Sequence, residues 1–337
     1  MMEIKYCPGL LLEGHSGYSP LFLRRMFAGR KVSHVLPYNA PEIDEEDQKK
    51  FMQNRKRISI SGMQEKYSVL LEKNGLRLTV EGEQGSYILK PKPHGLRKVA
   101  MAPANEHVTM QIASQVYNIP TAVNGLVFFS NGEPAYLTKR FDIDHNGSKL
   151  GKEDFATLAG KTEENAGANF RYEYSYEGMA ELIRKYVGSW QIEMEKFYRL
   201  IIFNFLFSNG DAHLKNFSLL ETANGDYVLC PAYDLMDTRI HVEEDDFFAL
   251  SDELFKDGYW SDCRIKNSQH HPCKEDFIEF GGKIGIAEKR IGKLLLPFLK
   301  KQDGVENLVK KSFLDVQTKE QYLFHYHERL VMLNLGI

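Results

Sequence analysis

Asn209-Gly210-Asp211-Ala212-His213-Leu214-Lys215-Asn216 sets an Asp ahead of an Asn at the spacing of a phosphoryl-transfer loop. In such a loop the Asp accepts a hydrogen bond from the attacking hydroxyl, and the later Asn offers an oxygen to magnesium on the nucleotide phosphates. An Asn-Gly-Asp run is also an ordinary polar turn, because these residues tolerate left-handed backbone. The octet takes its meaning from what flanks it.

Upstream, Met194, Phe197, Ile201 and Phe205 form one apolar stripe, which predicts a helix over residues 192–207 ending at Ser208-Asn209-Gly210. That helix delivers Asp211 into an exposed loop. Downstream, apolar runs at 217–220 and 227–229 flank Asn224-Gly225, a hairpin signal. Short strands running out and back return the chain to its start, so Asp234, just past the hairpin, approaches Asn216, just before it. Oxygen-only ligands of this kind suit magnesium rather than zinc. Standing alone, Asp234 reads as a turn residue or cap.

Further upstream the pattern is that of strands, at 67–71, 76–80 and 87–90, with Asn74-Gly75 as the first turn. A helix is expected over 103–117, then a second hairpin, 126–129 and 135–139, around Asn131-Gly132. Three strands, a helix and two strands is the order of a protein-kinase small lobe, in which a third-strand lysine is held by a helix glutamate and meets the phosphates. Lys90 and Glu106 occupy those places. Each has an ordinary alternative: a strand-end cation in water, and a carboxylate favoured by the helix dipole. The fold class expected is α+β, a bilobal protein-kinase-like fold with a small antiparallel β lobe and a larger, mainly helical lobe. The divisions are an N-terminal extension over 1–50, a small lobe over 51–138 and a large lobe over 139–337.

A chain of 337 residues is long enough for two lobes. With 43% hydrophobic and 26% charged residues it reads as an ordinary folded protein. The net charge of -3 gives no global attraction to nucleic acid, so DNA contact needs a partner. Cys7, Cys230, Cys263 and Cys273 are too scattered for a disulfide framework, which points to a reducing cytoplasm. Cys263, His270, His271 and Cys273 invite zinc, but no C-x-x-C pair is present and a polar loop is expected. Neither an export signal nor a membrane span is expected.

Residues 58–66, Ile-Ser-Ile-Ser-Gly-Met-Gln-Glu-Lys, lie where a kinase covers the phosphates, although one glycine matches a Gly-rich loop poorly. Phosphate on Ser59 or Ser61 would compete for the place of the nucleotide phosphates. With this segment, Tyr87-Ile88-Leu89-Lys90-Pro91, Lys139-Arg140-Phe141-Asp142, the octet with Phe217-Ser218, and Ala232-Tyr233-Asp234, the chain resembles the HipA-type serine/threonine kinases of bacterial type II toxin-antitoxin systems. Its length makes it look like the compact HipT toxins.

The resemblance implies Asp211 as catalytic base, Asn216 and Asp234 as metal ligands, and ATP with Mg2+ as cofactors. It implies nucleotide contacts from Ser61, Gly62, Met63, Gln64, Glu65 and Lys66, from Lys90, from Lys139, Arg140 and Phe141 at the hinge, and from His213 and Tyr233. Glu106 supports Lys90, and Ser59 and Ser61 are the autophosphorylated serines it implies. The partners implied are a HipB-like DNA-binding antitoxin, a small HipS-like protein matching the missing N-terminal subdomain, and an aminoacyl-tRNA synthetase substrate, tryptophanyl or glutamyl. Contact with DNA would be indirect, and the place of action the cytoplasm.

The chain also departs from ordinary kinases: Gly210 precedes Asp211 where they carry Arg, and Leu235-Met236 replaces Phe-Gly, so their switching logic does not transfer. Two alternatives remain at this level. One is a small-molecule phosphotransferase of aminoglycoside-kinase type, whose loop has the same Gly-Asp-x-His-x-x-Asn form. The other is a non-catalytic partner of a DNA-binding repressor.

Overall fold

The computed structural model describes residues 4–40, 64–243 and 246–335. Strands β1 (Tyr67–Glu72), β2 (Gly75–Leu78), β3 (Tyr87–Lys90), β4 (Asn124–Phe128) and β5 (Pro134–Lys139) form one antiparallel sheet of order β2-β1-β3-β5-β4. Glu72 pairs with Gly75, so the first hairpin turns on Lys73-Asn74, with Lys73 at φ +52°, and not on Asn74-Gly75 as expected. Burial explains the slip: this register puts Val69, Leu71, Leu76 and Leu78 on one face, where Val69 and Leu76 enter the core. A shift by one residue would turn that face to water.

Helix α1 (Pro20–Phe27), capped by the Ser19 hydroxyl, lays Phe22, Met26 and Phe27 on the sheet. Gly9 and Gly125 make the slot for Phe22, since a Cβ on them would lie 2.1 Å and 2.5 Å from its ring. Helix α2 (Ala102–Gln115), between β3 and β4 in sequence, is buried from Ala102 through Ala113.

After two one-turn helices, Phe155–Leu158 and Glu163–Ala166, come the longer helices α3 (Tyr176–Tyr186), α4 (Trp190–Leu206), α5 (Lys274–Lys283), α6 (Glu288–Leu295), α7 (Asp303–Lys311) and α8 (Val316–Asn334). The single stripe expected on α4 understates it. From Leu200 to Leu206 every side chain is buried, because α4 is the axis around which this core packs.

Beside it lies a second sheet, β6-β7-β8, with β6 at Lys152–Asp154, β7 at Ser218–Glu221 and β8 at Tyr227–Leu229. The expected hairpin is β7-β8; β6, a Lys-Glu-Asp strand with no apolar alternation, was not anticipated.

The polar loop expected around Cys263 is also corrected. Asp262–Lys266 is a short helix, and a Cys263–Cys273 disulfide ties it to the start of α5, with Cα atoms 6.5 Å apart. One buried pair ten residues apart forms no framework, which is why the spacing carried no signal. Cys7 and Cys230 are buried thiols. Among the described residues no helix is long and apolar enough to cross a membrane.

Candidate active site

Lys90 ends β3, and its side chain is only 4% exposed; its ammonium lies 2.7 Å from Glu106 Oε1 on α2 and also contacts Asp234 Oδ1. Lys66 approaches the other Asp234 oxygen at 3.3 Å. Burial alone would discharge Lys90, but Asp234 and Glu106 outweigh it and hold it protonated. Burial likewise raises the Asp234 carboxyl, and the two lysines reverse the shift, so that it sits well below the usual carboxylate range. Glu106 is deeper, and there burial dominates over the pull of Lys90 and moves its carboxyl up. Asp234 has φ +56°, a left-handed backbone at the point where its carboxylate meets both lysines.

Asp211, Asn216 and Asp234 come from three separate turns, and the fold brings them together. With Lys90, Glu106 and Gln64 among its lining, they surround a cavity of about 20 Å³, room for about one water or small ion. The Asn216 side chain is buried, and its Oδ1 has no hydrogen-bond partner among the described residues. A lone buried amide oxygen facing carboxylates fits a hard divalent cation, which takes oxygen donors. Asp211 is half-buried rather than exposed. It receives a 2.8 Å hydrogen bond from the Tyr172 hydroxyl, and its Oδ1 lies 3.9 Å from His213 Nε2. Burial lowers the pKa of His213, which favours the neutral ring.

A larger cavity of about 300 Å³ adjoins the first, sharing Lys90 and Asp234. Lys66, Lys139, Arg140, Lys152, Arg171 and Lys215 also line it, against Asp142, Asp154 and Asp234. This balance attracts a polyanion. Phe141 and Tyr233 form an aromatic wall, ring centroids 5.7 Å apart, with Lys152 over both. The Tyr233 hydroxyl, bonded to Ser218 Oγ at 2.7 Å, donates to the Lys215 carbonyl at 3.1 Å. Arg140 forks onto Asp142 at 2.9 and 2.7 Å.

Of the phosphate-loop residues, Gln64 donates to the Pro91 carbonyl and lines the small cavity, Glu65 meets the Tyr67 hydroxyl, and Lys66 reaches Asp234. Ser59, Ser61, Gly62 and Met63 lie outside the described residues.

Sequence reasoning missed Tyr172, Arg171, Lys152 and Asp154, all beside these cavities or the base. Arg171 and Tyr172 sit in an aperiodic Asn-Phe-Arg-Tyr-Glu-Tyr stretch that carries no pattern. It also missed Asn105, whose amide clamps both backbone groups of Asp237, donating to its carbonyl at 2.8 Å and accepting from its N–H at 3.1 Å.

A curled antiparallel sheet with one buried helix, set over a helical body, and a lysine–glutamate pair facing an Asp beyond a hairpin define the bilobal protein-kinase-like class. The HipA of the Shewanella oneidensis MR-1 toxin-antitoxin system, solved with HipB and operator DNA, superposes with TM-score 0.60 at 18% identity, covering 88% of this chain and 72% of that one. The Helicobacter pylori proinflammatory kinase CtkA superposes with TM-score 0.51 at 14% identity, covering 79% and 90%.

The model of the HipA-like C-terminal domain matches residues 58–303, and the chain belongs to that family. A Haemophilus influenzae protein named "Putative kinase" is 29% identical over 335 residues, 96% of this chain and 94% of its own length. The Sinorhizobium fredii "Putative kinase Y4dM" is 31% identical over 229 residues, 63% of this chain but 53% of that protein.

Proposed function

We propose that the chain is an ATP- and magnesium-dependent kinase that phosphorylates a serine of a protein. The observation carrying this reading is the convergence of Asp211, Asn216 and Asp234 on one small cavity next to Lys90. Of the residues lining the larger cavity, Phe141 and Tyr233 would take the base of the nucleotide, and Lys66, Lys90 and Arg171 its phosphates. Asn216 and Asp234 would hold magnesium, which would neutralise phosphate charge. Asp211 aligns the acceptor hydroxyl and takes its proton as the hydroxyl oxygen bonds to the γ-phosphorus. The bond from that phosphorus to the β–γ bridging oxygen breaks, its electrons leaving with ADP.

The family and the HipB-bound neighbour support a toxin neutralised by a HipB-like antitoxin, with DNA reached through that partner. On the sequence resemblance to HipA-type kinases alone, we take the substrate to be an aminoacyl-tRNA synthetase, tryptophanyl or glutamyl, met in the cytoplasm. Control would come from phosphate on Ser59 or Ser61, and a HipS-like small protein would complete the complex.

Purified protein incubated with γ-labelled ATP and magnesium is expected to label Ser59 or Ser61. Asp211→Gln should lower transfer by about 10²–10⁴-fold and leave the fold intact, because Asp211 belongs to a loop rather than to the apolar core. Wild-type transfer by that variant, or none from the native chain to protein or water, sinks the reading.

A further inference from the structure

The segment from Arg171 to Tyr176 grips the catalytic loop at three points, Asp211, Ala212 and Leu214. The Tyr172 hydroxyl donates to Asp211 Oδ1 at 2.8 Å, the Tyr176 hydroxyl at the start of α3 donates to the Ala212 carbonyl at 2.9 Å, and the Leu214 N–H donates to the Arg171 carbonyl at 3.0 Å. The Tyr172 ring stands edge-on to His213, centroids 5.1 Å apart, so the side chain between these points is packed as well.

The bracing loop is anchored in turn. The Ser251 N–H donates to the Tyr172 carbonyl and the Tyr172 N–H donates to the Asn169 carbonyl, each at 2.8 Å. A buried phenol on a carboxylate could serve stability alone. Here the carboxylate is the one that lines the small cavity with Asn216 and Asp234, and the neighbouring backbone is fixed from the same loop.

We infer that Tyr172 is the positioning residue of the base: its hydroxyl holds the Asp211 carboxylate in the orientation that meets the acceptor hydroxyl. The inference rests on Asp211 being the base. A misaligned base costs rate rather than affinity, because alignment matters only once the proton is moving. The neutral phenol also orients the carboxylate without adding a cation that would weaken it as an acceptor.

The test compares Tyr172→Phe, Asp211→Asn and the double variant by steady-state transfer of labelled phosphate from ATP to the protein itself and to water. Thermal unfolding is measured alongside. Tyr172→Phe keeps the ring against His213 and removes one oxygen. It is expected to lower kcat on the order of 10-fold with the KM for ATP within about two-fold. The double variant is expected to be no slower than Asp211→Asn, since a residue acting through Asp211 has nothing left to act on.

Native kcat in Tyr172→Phe overturns the inference. So does a raised KM at unchanged kcat, a kcat loss accompanied by loss of folding, or a second 10-fold fall when the change is made in Asp211→Asn. If Asp211→Asn turnover is too slow to read, the kcat–KM split decides alone. Full activity in Asp211→Asn removes the base assignment itself, an outcome separate from failure at Tyr172.

Discussion

The two sides of the cleft are held by different forces. Lys90, Glu106 and Asp234 form a buried charge cluster, and the exposed Lys66 reaches Asp234 from outside, so that two carboxylates share two ammonium groups. Asp211 instead takes a phenolic hydrogen bond and sits 3.9 Å from an imidazole that burial biases towards its neutral form. The contrast follows from what each side has to do on the proposed reading. A lysine that meets phosphate must arrive charged in a dry place, which only opposite charges permit. A base must stay able to accept a proton, which a phenolic hydrogen bond permits.

Lys90→Met tests the charged side with the largest expected effect. It leaves Glu106 and Asp234 buried without their shared cation, and breaking such a network costs about 3–5 kcal/mol. Urea unfolding of the variant is expected to show that loss, together with loss of ATP binding by calorimetry. A variant as stable as the native protein would mean that the network contributes no net stability, and the contrast between the two sides would be lost.

Between the sides lies a neutral crosslink, and it should matter less. Asn105 precedes Glu106 on α2 and clamps the Asp237 backbone, so one turn of helix grips the small-lobe lysine and the strand-like stretch beyond Asp234 together. The Asn105 amide also contacts His241 Nε2 at 3.0 Å, and the Asp237 carboxylate meets His325 at 2.7 Å. Asn105→Ala leaves a buried N–H and carbonyl unpaired and is expected to cost about 1–3 kcal/mol. A loss as large as that of Lys90→Met would show that neutral bonds here equal the ionic ones.

The charged side was the more legible in the sequence, for a physical reason. Lys90, Asn216 and Asp234 stand at or just past the ends of elements, and Glu106 in the second turn of α2, places that the order of strands, helix and hairpins marks. The approach of Asp234 to Asn216 follows from hairpin geometry, and that of Lys90 to Glu106 from the order of strands and helix in a small lobe. Tyr172 and Asn105 act through tertiary position: one lies in an aperiodic loop, the other on a helix buried on all sides, where no face is marked. The same limit hid β6, whose Lys-Glu-Asp residues are a strand only because β7 pairs with them. It also misplaced the first turn, where burial of Val69 and Leu76 overrode the preference of Asn-Gly. The disulfide was invisible because Cα proximity over ten residues is a property of the folded loop.

Acid should separate the two kinds of holding. His107 is buried and its Nε2–H donates to the Gly9 carbonyl at 2.9 Å; burial lowers its pKa from 6.5 to about 4. His241 is likewise lowered to about 4 by burial. Between those values the unfolded chain binds protons that the folded one refuses, so these rings make stability fall as pH drops from 6.5 towards 4. Asp234, held low by its lysines, keeps its contribution through that window and loses it only in stronger acid. Glu106, moved up by burial, works in the opposite direction, its contribution fading as pH rises through about 7. The histidine effect is therefore read as a difference. His107→Gln keeps a donor for Gly9 without a titrating ring and is expected to flatten the pH slope by up to about 1.4 kcal/mol per pH unit relative to the native chain. Urea midpoints for both proteins across pH 6.5 to 4 give that slope. Parallel curves would mean that His107 charges inside the fold, and the neutral contacts of α2 would then be as electrostatic as its ion pair.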